Sequence, residues 1–136
     1  MKTYDKAAIG RIGEKAAARY LKRHGFRILS KNAHYGKNEL DLVAADKANI
    51  LFVEVKTRTY ETAADAAAVT RPGDAVDVGK RQRTVKAAFD YLHEHPSAKA
   101  PRLDVIEVYL DRSDRMRPFY INHIENAFSV RGTKRA

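Results

Sequence analysis

Two acids and a lysine interrupt neighbouring apolar segments and could together carry chemistry. Glu54 and Lys56 alternate with valines in segment 50–56, which is rich in the β-branched and aromatic residues of buried strands. Asp41 lies in the preceding segment 39–45, which alternates in the same way. Because successive side chains point to opposite faces of a strand, Glu54 and Lys56 share one face. The pattern therefore predicts charged side chains on one face of two adjacent strands.

The segment 46–49 (Asp-Lys-Ala-Asn) has turn chemistry and predicts a hairpin between these strands. A loop of those four residues sets the pairs Ala45 with Ile50, Asp41 with Glu54, and Glu39 with Lys56. The opposite side becomes a core face made of Leu40, Leu42, Leu51, Val53 and Val55. Directly opposed carboxylates repel. A divalent cation between them would reverse the sign of that interaction, and hard oxygen ligands favour magnesium.

The alternative interpretation is a solvated strand face with a weak ion pair, worth about 0–1 kcal/mol. Against it, the charged face continues inward with Val43, Ile50 and Phe52, which require cover by another element. A register slip of one residue would move one strand's charges to the other face. The hairpin register thus decides between the two interpretations.

Composition favours a globular domain. The chain has 136 residues, 44% of them hydrophobic, which is enough for a core. We expect one domain over residues 1–128 and a basic, disordered tail over residues 129–136. The absence of cysteine excludes disulfides, thiolate catalysis and cysteine zinc sites. No apolar run suits a membrane span or signal peptide, so we expect a cytoplasmic protein without a membrane partner.

The formal net charge of +9 predicts a polyanionic partner. Basic residues are spread along the chain, and a positive field of this kind attracts phosphate backbones. Charge alone does not distinguish DNA from RNA. A basic composition without a specific partner is the alternative.

Periodicity and breakers predict two helices and five strands. The helices are expected at about residues 6–25 and 77–95 and the strands at about 26–35, 39–45, 50–56, 103–110 and 119–124. Residues 57–75 are expected to form a long binding loop, with a short helix over 63–69 as the alternative. A helix between the third and fourth strands suggests a crossover with parallel pairing. The fold class is α/β, with a mixed central sheet flanked by helices.

Each helix has an apolar face that should pack on the sheet. Small residues beside the stripe of the first helix (Gly10, Gly13 and Ala17) would allow close approach. The apolar face predicted for the second helix consists of Val78, Val85, Ala88, Phe89 and Leu92. Gln82 projects onto that same face, where a buried amide needs a partner or reaches a ligand.

The combined motifs resemble the YraN family, an uncharacterised bacterial group of the restriction-endonuclease-like superfamily. The matching residues are Glu14 on the first helix, 38–43 (Asn-Glu-Leu-Asp-Leu-Val), 52–58 (Phe-Val-Glu-Val-Lys-Thr-Arg) and Lys80 opening the second helix. The likeness runs from about Gly10 to Val108. Its core is an Asp followed by Glu-x-Lys. Where the family usually has glycine this chain has Asn38, which tolerates a left-handed backbone.

The resemblance implies a restriction-endonuclease-like fold and phosphodiester hydrolysis. Asp41 and Glu54 would bind magnesium, or manganese in its place, and Glu14 would complete the acidic cluster. Lys56 would orient or activate the attacking water. We also expect contacts with nucleic acid from Arg58, Lys80, Gln82 and Arg83.

These observations favour a magnesium-dependent endonuclease that acts on DNA rather than RNA, including structured or branched DNA. One alternative is a catalytically silent nucleic-acid-binding module with the same fold and basic surface. Another is an accessory subunit that works only with a protein partner. Whether the chain forms a homodimer is left open.

Overall fold

The structure, a computed structural model, describes residues 4–64 and 78–128, without the side chains of 78–80 and 128. The elements in chain order are α1 (Lys6–Arg23), β1 (Arg27–Tyr35), β2 (Asn38–Ala45), β3 (Asn49–Tyr60), α2 (Val78–Glu94), β4 (Ala100–Asp111), a 3-10 turn (Arg112–Asp114) and β5 (Arg117–Phe128). The predicted tail over 129–136 and residues 65–75 of the predicted loop lie outside this description.

Within the described residues, five strands form one mixed sheet in the order β1-β2-β3-β4-β5. The β1–β2, β2–β3 and β4–β5 pairs are antiparallel, and β3 and β4 are parallel. The predicted crossover between β3 and β4 is therefore confirmed. The α/β class is confirmed as well, and the arrangement is consistent with a restriction-endonuclease-like fold.

Local sequence signals set the bounds of α1. The side chain of Asp5 accepts a hydrogen bond from the backbone N–H of Ala8 at 2.8 Å, which caps the first turn. Gly25, with a φ of 88°, takes the left-handed conformation that lets the chain turn away after the helix. The predicted start at residue 6 and stop near Gly25 are confirmed.

The sheet is covered on both faces. On one face, α1 contributes Ala17 and Leu21 to a core with side chains from β2, β3 and β4. On the other face, α2 contributes Ala87, Ala88 and Tyr91 to a second core that includes Val43 and Phe52. The prediction that the Val43, Ile50 and Phe52 face requires cover is confirmed.

The predicted buried face of α2 is confirmed in part. Ala88 is buried, and Val85 and Leu92 pack against the same core, while the side chain of Val78 lies outside the description. Phe89 is 52% exposed and Gln82 is exposed, so both predicted orientations are wrong. The helix also buries Thr84, Ala87 and Tyr91, which the prediction did not include. The small side chains of Ala87 and Ala88 let the helix lie close to the sheet.

Three strands are longer than predicted. β3 extends to Tyr60, so the assignment of residues 57–60 to a loop is wrong. The extension pairs with β4 through Tyr60–Asp111, and parallel neighbours supply the hydrogen bonds that local propensity did not predict. β4 and β5 likewise run over Ala100–Asp111 and Arg117–Phe128. None of the described helices is both long and apolar enough to cross a membrane.

Gly13 is the point of closest approach between α1 and β3. A methyl group at Gly13 would overlap the hydroxyl of Thr57 and would lie 2.9 Å from the Thr57 Cβ. Rotation of the Thr57 side chain does not move its Cβ, so backbone displacement would be required. The prediction of close helix–sheet approach is confirmed at this residue.

We expect Gly13→Ala to lower the free energy of unfolding by about 1–3 kcal/mol through overpacking. Gly10→Ala is the matched control, because a methyl group there meets nothing within 4 Å. In that half-buried but open helical position, alanine should raise stability by about 0.5–1 kcal/mol. Urea unfolding of both variants measures the difference. Equal stabilities would contradict the close contact.

Candidate functional site

Asp41 and Glu54 line one cavity of about 190 Å³ at the β2–β3 end of the sheet, beside α2. The remaining lining residues are Lys37, Asn38, Glu39, Leu40, Val53, Arg83 and Thr84. The structure thus brings together the two acids that the sequence analysis selected, although they lie on different strands.

The predicted hairpin register is confirmed for those residues of β2 and β3 that form backbone pairs. The pairs run from Ala45–Ile50 to Leu42–Val53. The predicted pairs Asp41–Glu54 and Glu39–Lys56 are absent from this ladder, so for them the prediction is wrong. Beyond Leu42 the carboxylate of Asp41 takes the place of a backbone acceptor, since its Oδ2 accepts a hydrogen bond from the Val55 N–H at 2.8 Å.

The irregularity in β2 is centred on Asp41. Leu42 packs in the α1-side core, whereas Leu40 packs in the α2-side core. Residues two apart share a face in a regular strand, so the alternation is broken between them. Across β1, Asn32 lies between the partners of Leu40 and Leu42 and has a φ of 52°. The prediction that Leu40 belongs to the face of Leu42 is wrong because of this distortion.

Glu54 is a buried carboxylate with a cationic neighbour. Its side chain is 6% exposed, and its Oε2 lies 3.6 Å from the Nζ of Lys56. Lys56 is 30% exposed, so its ammonium group contacts solvent as well as the acid. The shared face that alternation predicted for Glu54 and Lys56 is supported by this contact.

Glu14, on α1, stands apart from the cavity lining. Burial raises the pKa of Glu14, a hydrogen bond with the Asn32 side chain lowers it, and the charge of Glu39 raises it; the net shift is upward. Across residues 4–64 and 78–128, no three histidine, aspartate or glutamate side chains are grouped to hold a metal ion. The metal role predicted for Glu14 stays a prediction.

The four residues predicted to contact nucleic acid are placed differently. Arg83 lines the cavity, and Gln82 is exposed on α2. Arg58 follows Lys56 on the same strand face, with its side chain 30% exposed. Lys80 begins α2, but its side chain lies outside the described structure.

Sequence reasoning missed Glu107, a carboxylate on β4 that pairs in register with Lys56. Glu107 is 1% exposed, and its Oε2 lies 3.5 Å from Nη2 of Arg58. Its Oε1 accepts a hydrogen bond from the Asn122 amide at 2.9 Å. Burial and the Glu107 charge help to raise the pKa of Tyr109 to about 12. The signal was available, because Glu107 interrupts an apolar strand as Glu54 does.

Asp104 on β4 is another buried acid, and its hydrogen bonds connect the sheet to α1. Burial alone would raise the pKa of Asp104, but hydrogen bonds with His123, Arg102 and the Asn126 N–H hold it below its ordinary value. Nε2 of His123 lies 2.6 Å from Oδ2 of Asp104, and its Nδ1 lies 3.1 Å from the Tyr20 hydroxyl. This chain connects β4, β5 and α1.

We expect an NMR titration to give Glu14 a pKa above that of an exposed glutamate. Glu39→Gln should lower the pKa of Glu14, because the variant removes a negative charge that disfavours its ionisation. Glu61→Gln is the control, since Glu61 is 82% exposed and pairs with Arg112. A Glu14 pKa unchanged by Glu39→Gln would contradict the electrostatic coupling.

Glu107→Ala should lower the free energy of unfolding by about 3 kcal/mol, because Arg58 loses a buried counter-ion. The value is the low end of the usual range, since Arg58 is partly solvated. Glu125→Ala removes an acid that is 64% exposed and pairs with Arg102, so it should cost less than about 1 kcal/mol. Denaturant unfolding compares the two, and equal losses would contradict the role of burial.

Comparison with known proteins assigns the family. A sequence model described as uncharacterised protein family UPF0102 matches residues 13–108. The chain is 42% identical over 129 residues to a UPF0102 protein of Caldanaerobacter subterraneus subsp. tengcongensis, covering 94% of this chain and 100% of the relative. It is 40% identical over 121 residues to a UPF0102 protein of Pelotomaculum thermopropionicum, covering 88% of this chain and 94% of the relative. With most of its length matched in this way, the chain belongs to the uncharacterised family UPF0102, which is the YraN family.

Proposed function

We propose that this protein is a magnesium-dependent nuclease that hydrolyses phosphodiester bonds in DNA, including structured or branched DNA. One observation carries the proposal: Asp41 and Glu54, from different strands, line the same cavity, and Lys56 lies beside Glu54. Two acids at one cavity, with a cation beside one of them, supply the groups that metal-assisted hydrolysis requires.

The donor set fits magnesium. Magnesium usually takes one or two carboxylates from a protein and keeps several water ligands, and a cavity of about 190 Å³ has room for them. Asp41 and Glu54 would hold the ion, with Glu14 as a third candidate ligand from α1. Bound there, the ion would neutralise phosphate charge and lower the pKa of a water molecule. Manganese has the same preference for oxygen ligands and should replace it.

The chain's own residues orient the reacting groups. The N–H of Val55 fixes one oxygen of Asp41, so the carboxylate keeps its direction without a ligand. The ammonium group of Lys56 would stabilise negative charge on the attacking water and on the pentavalent phosphate. Its ion pair with Glu54 holds the side chain beside that acid, where the charge would develop.

Arg58 is a candidate for contact with a neighbouring phosphate. Its Nε is buried without a hydrogen-bond partner among the described residues, while its Nη2 faces Glu107. A phosphate could contact the 30% of the Arg58 side chain that is exposed. Arg83 and Lys37 are the cations that line the cavity, and the net charge of +9 would attract DNA to it.

A catalytically silent nucleic-acid-binding module is the second candidate. It is favoured by the pairing of Lys56 with Glu54 and by the lack of a three-acid group in the described part of the chain. A binding module, however, gains nothing from two carboxylates near a phosphate path, because they repel the ligand. Metal binding and cleavage distinguish the two candidates.

We expect Asp41→Asn to abolish both metal binding and cleavage, because it removes a carboxylate ligand. Lys56→Ala should retain metal binding but lower the cleavage rate about a hundredfold or more, as loss of an electrostatic helper does. Metal binding is measured from the NMR shifts that magnesium induces. Cleavage is measured on single-stranded, duplex, flapped and four-way DNA with magnesium or manganese.

Two variants of equal charge change serve as controls. Glu61→Gln removes an exposed acid and Lys47→Ala removes an exposed lysine at the β2–β3 turn, so both should behave as wild type. Cleavage that persists in Asp41→Asn would indicate a contaminating nuclease. Metal shifts that avoid Asp41 and Glu54 would refute the site, and wild type that binds DNA without cleaving it would favour the binding module.

A further inference from the structure

Three tyrosine rings pack together on the α2 side of the sheet, beyond the core that α2 covers. Tyr109 is at the centre, on the same face of β4 as Leu103 and Val105, which pack under α2. The Tyr60 ring stacks on Tyr109 with centroids 5.8 Å apart at 23°, and the Tyr120 ring meets Tyr109 edge-on at 5.3 Å. Tyr60, Tyr109 and Tyr120 are called here the tyrosine cluster.

Tyr120 presents the cluster to solvent. It is 48% exposed, whereas Tyr109 beside it is buried. Tyr109 and Tyr120 are direct partners in the β4–β5 ladder, so the contact between their rings holds Tyr120 on this face. Phe119, the preceding residue, also meets Tyr109 edge-on, at 6.1 Å. A ring that is exposed and already held in place can stack on a flat ligand at a low cost in conformational entropy.

The same face of the sheet carries the exposed cations of β3. Alternate positions of a strand share a face, and on β3 this face holds Glu54, Lys56, Arg58 and Tyr60. Lys56 and Arg58 are each 30% exposed, whereas the acids that pair with them are 6% and 1% exposed. A ligand that approaches this face therefore meets positive charge before negative charge, which suits a phosphate.

The cations lie between the Asp41–Glu54 cavity and the tyrosine cluster. A strand rises about 3.3 Å per residue, so Arg58 is about 13 Å from Glu54 along β3. Arg58 pairs with Tyr109 on β4, and Tyr109 pairs in turn with Tyr120 on β5. One row across three strands thus holds a cation, a buried ring and an exposed ring. A single DNA strand that enters the cavity can place a phosphate on Arg58 and a base on Tyr120.

We propose that the tyrosine cluster binds unpaired bases of DNA, with a neighbouring phosphate on Arg58. Cations beside aromatic faces are the usual composition of single-strand sites, and stacking accepts every base because each has a π face. A fully paired duplex keeps its bases inside and cannot offer one to Tyr120. This role rests on the proposed function, because it gives the site of Asp41 and Glu54 a substrate class: DNA with an unpaired segment beside the cleaved bond.

Binding of labelled single-stranded DNA and of a blunt duplex to the full chain in EDTA tests the cluster without cleavage. Tyr120→Leu should weaken single-strand binding about fivefold or more and leave duplex binding unchanged. Tyr120→Phe keeps the ring and should bind as wild type. Phe89→Leu is the control at a ring that is 52% exposed on α2, and it should also bind as wild type. A Tyr120→Leu loss that is equal for both DNAs, or absent for both, would overturn stacking.

Tyr120→Trp gives a direct readout, because the chain contains no tryptophan of its own. Its fluorescence should change when single-stranded DNA stacks on the ring and stay constant with the duplex. Phe89→Trp is the matched control and should respond to neither DNA. Fluorescence at position 120 that responds equally to both DNAs, or to neither, would overturn the cluster even where Tyr120→Leu is unstable.

Cleavage in magnesium distinguishes failure of the cluster from failure of the nuclease. On flapped DNA, Tyr120→Leu should raise KM about fivefold or more and leave kcat unchanged, as loss of uniform substrate binding does. Wild type that cleaves flapped DNA while Tyr120→Leu has an unchanged KM would overturn the cluster alone. Wild type that cleaves no DNA, while Tyr120→Trp still responds to the single strand, would refute the nuclease and support the cluster as a binding site.

Discussion

The placement of β3 between two cores is the constraint on which the rest of the structure depends. Ile50 to Val53 are buried on both faces because α1 and α2 cover the sheet from opposite sides. Glu54 is the first charged residue beyond this stretch and is still only 6% exposed. A buried carboxylate without partners would be costly, so the surroundings must supply positive charge or donors. Lys56 supplies charge to Glu54, and the Val55 N–H supplies a donor to Asp41.

The neighbouring strand β4 also carries a buried acid that is satisfied by nearby polar side chains. Glu107 lies on β4 beside Lys56, and it is satisfied by Arg58 and Asn122. Because β3 and β4 pair in parallel, the side chains of Glu54, Lys56 and Arg58 on β3 lie beside Glu107 on β4. All four are on the face of the sheet that α2 covers only in part. A buried ion pair of this kind adds little net stability compared with apolar packing. Its physical effect is to fix the directions of the Arg58 and Lys56 side chains.

Part of this organisation can be read from the sequence. The turn residues 46–49 and the alternation of segment 50–56 were enough to give the Ala45–Ile50 register and to bring Asp41 and Glu54 to one end of the sheet. Alternation failed at Leu40, because the distortion depends on the positive φ of Asn32 on the adjacent strand. Local periodicity contains no information about such a cross-strand effect.

The rest of the site depended on contacts between residues far apart in the chain. The buried face of α2 was predicted only in part, because close packing on the sheet turns Phe89 outward and buries Thr84 and Ala87 in its place. Glu107 visibly interrupts an apolar segment, but its position beside Lys56 follows only from the β3–β4 register, which no local signal specifies.

The acids and the cations on the α2 face of the sheet have opposite electrostatic requirements. Carboxylates at a cleavage site repel phosphate until a cation is present, so under the proposed function Asp41 and Glu54 bind DNA weakly without a metal ion. Arginines placed between Asp41 and Glu54 would attract the phosphate but would displace the metal. Arg58 instead pairs with Glu107 on the next strand, and Lys56 pairs with Glu54. Under the proposed function, the sheet thus keeps the cations that attract a strand beside the acids that hold the metal rather than between them.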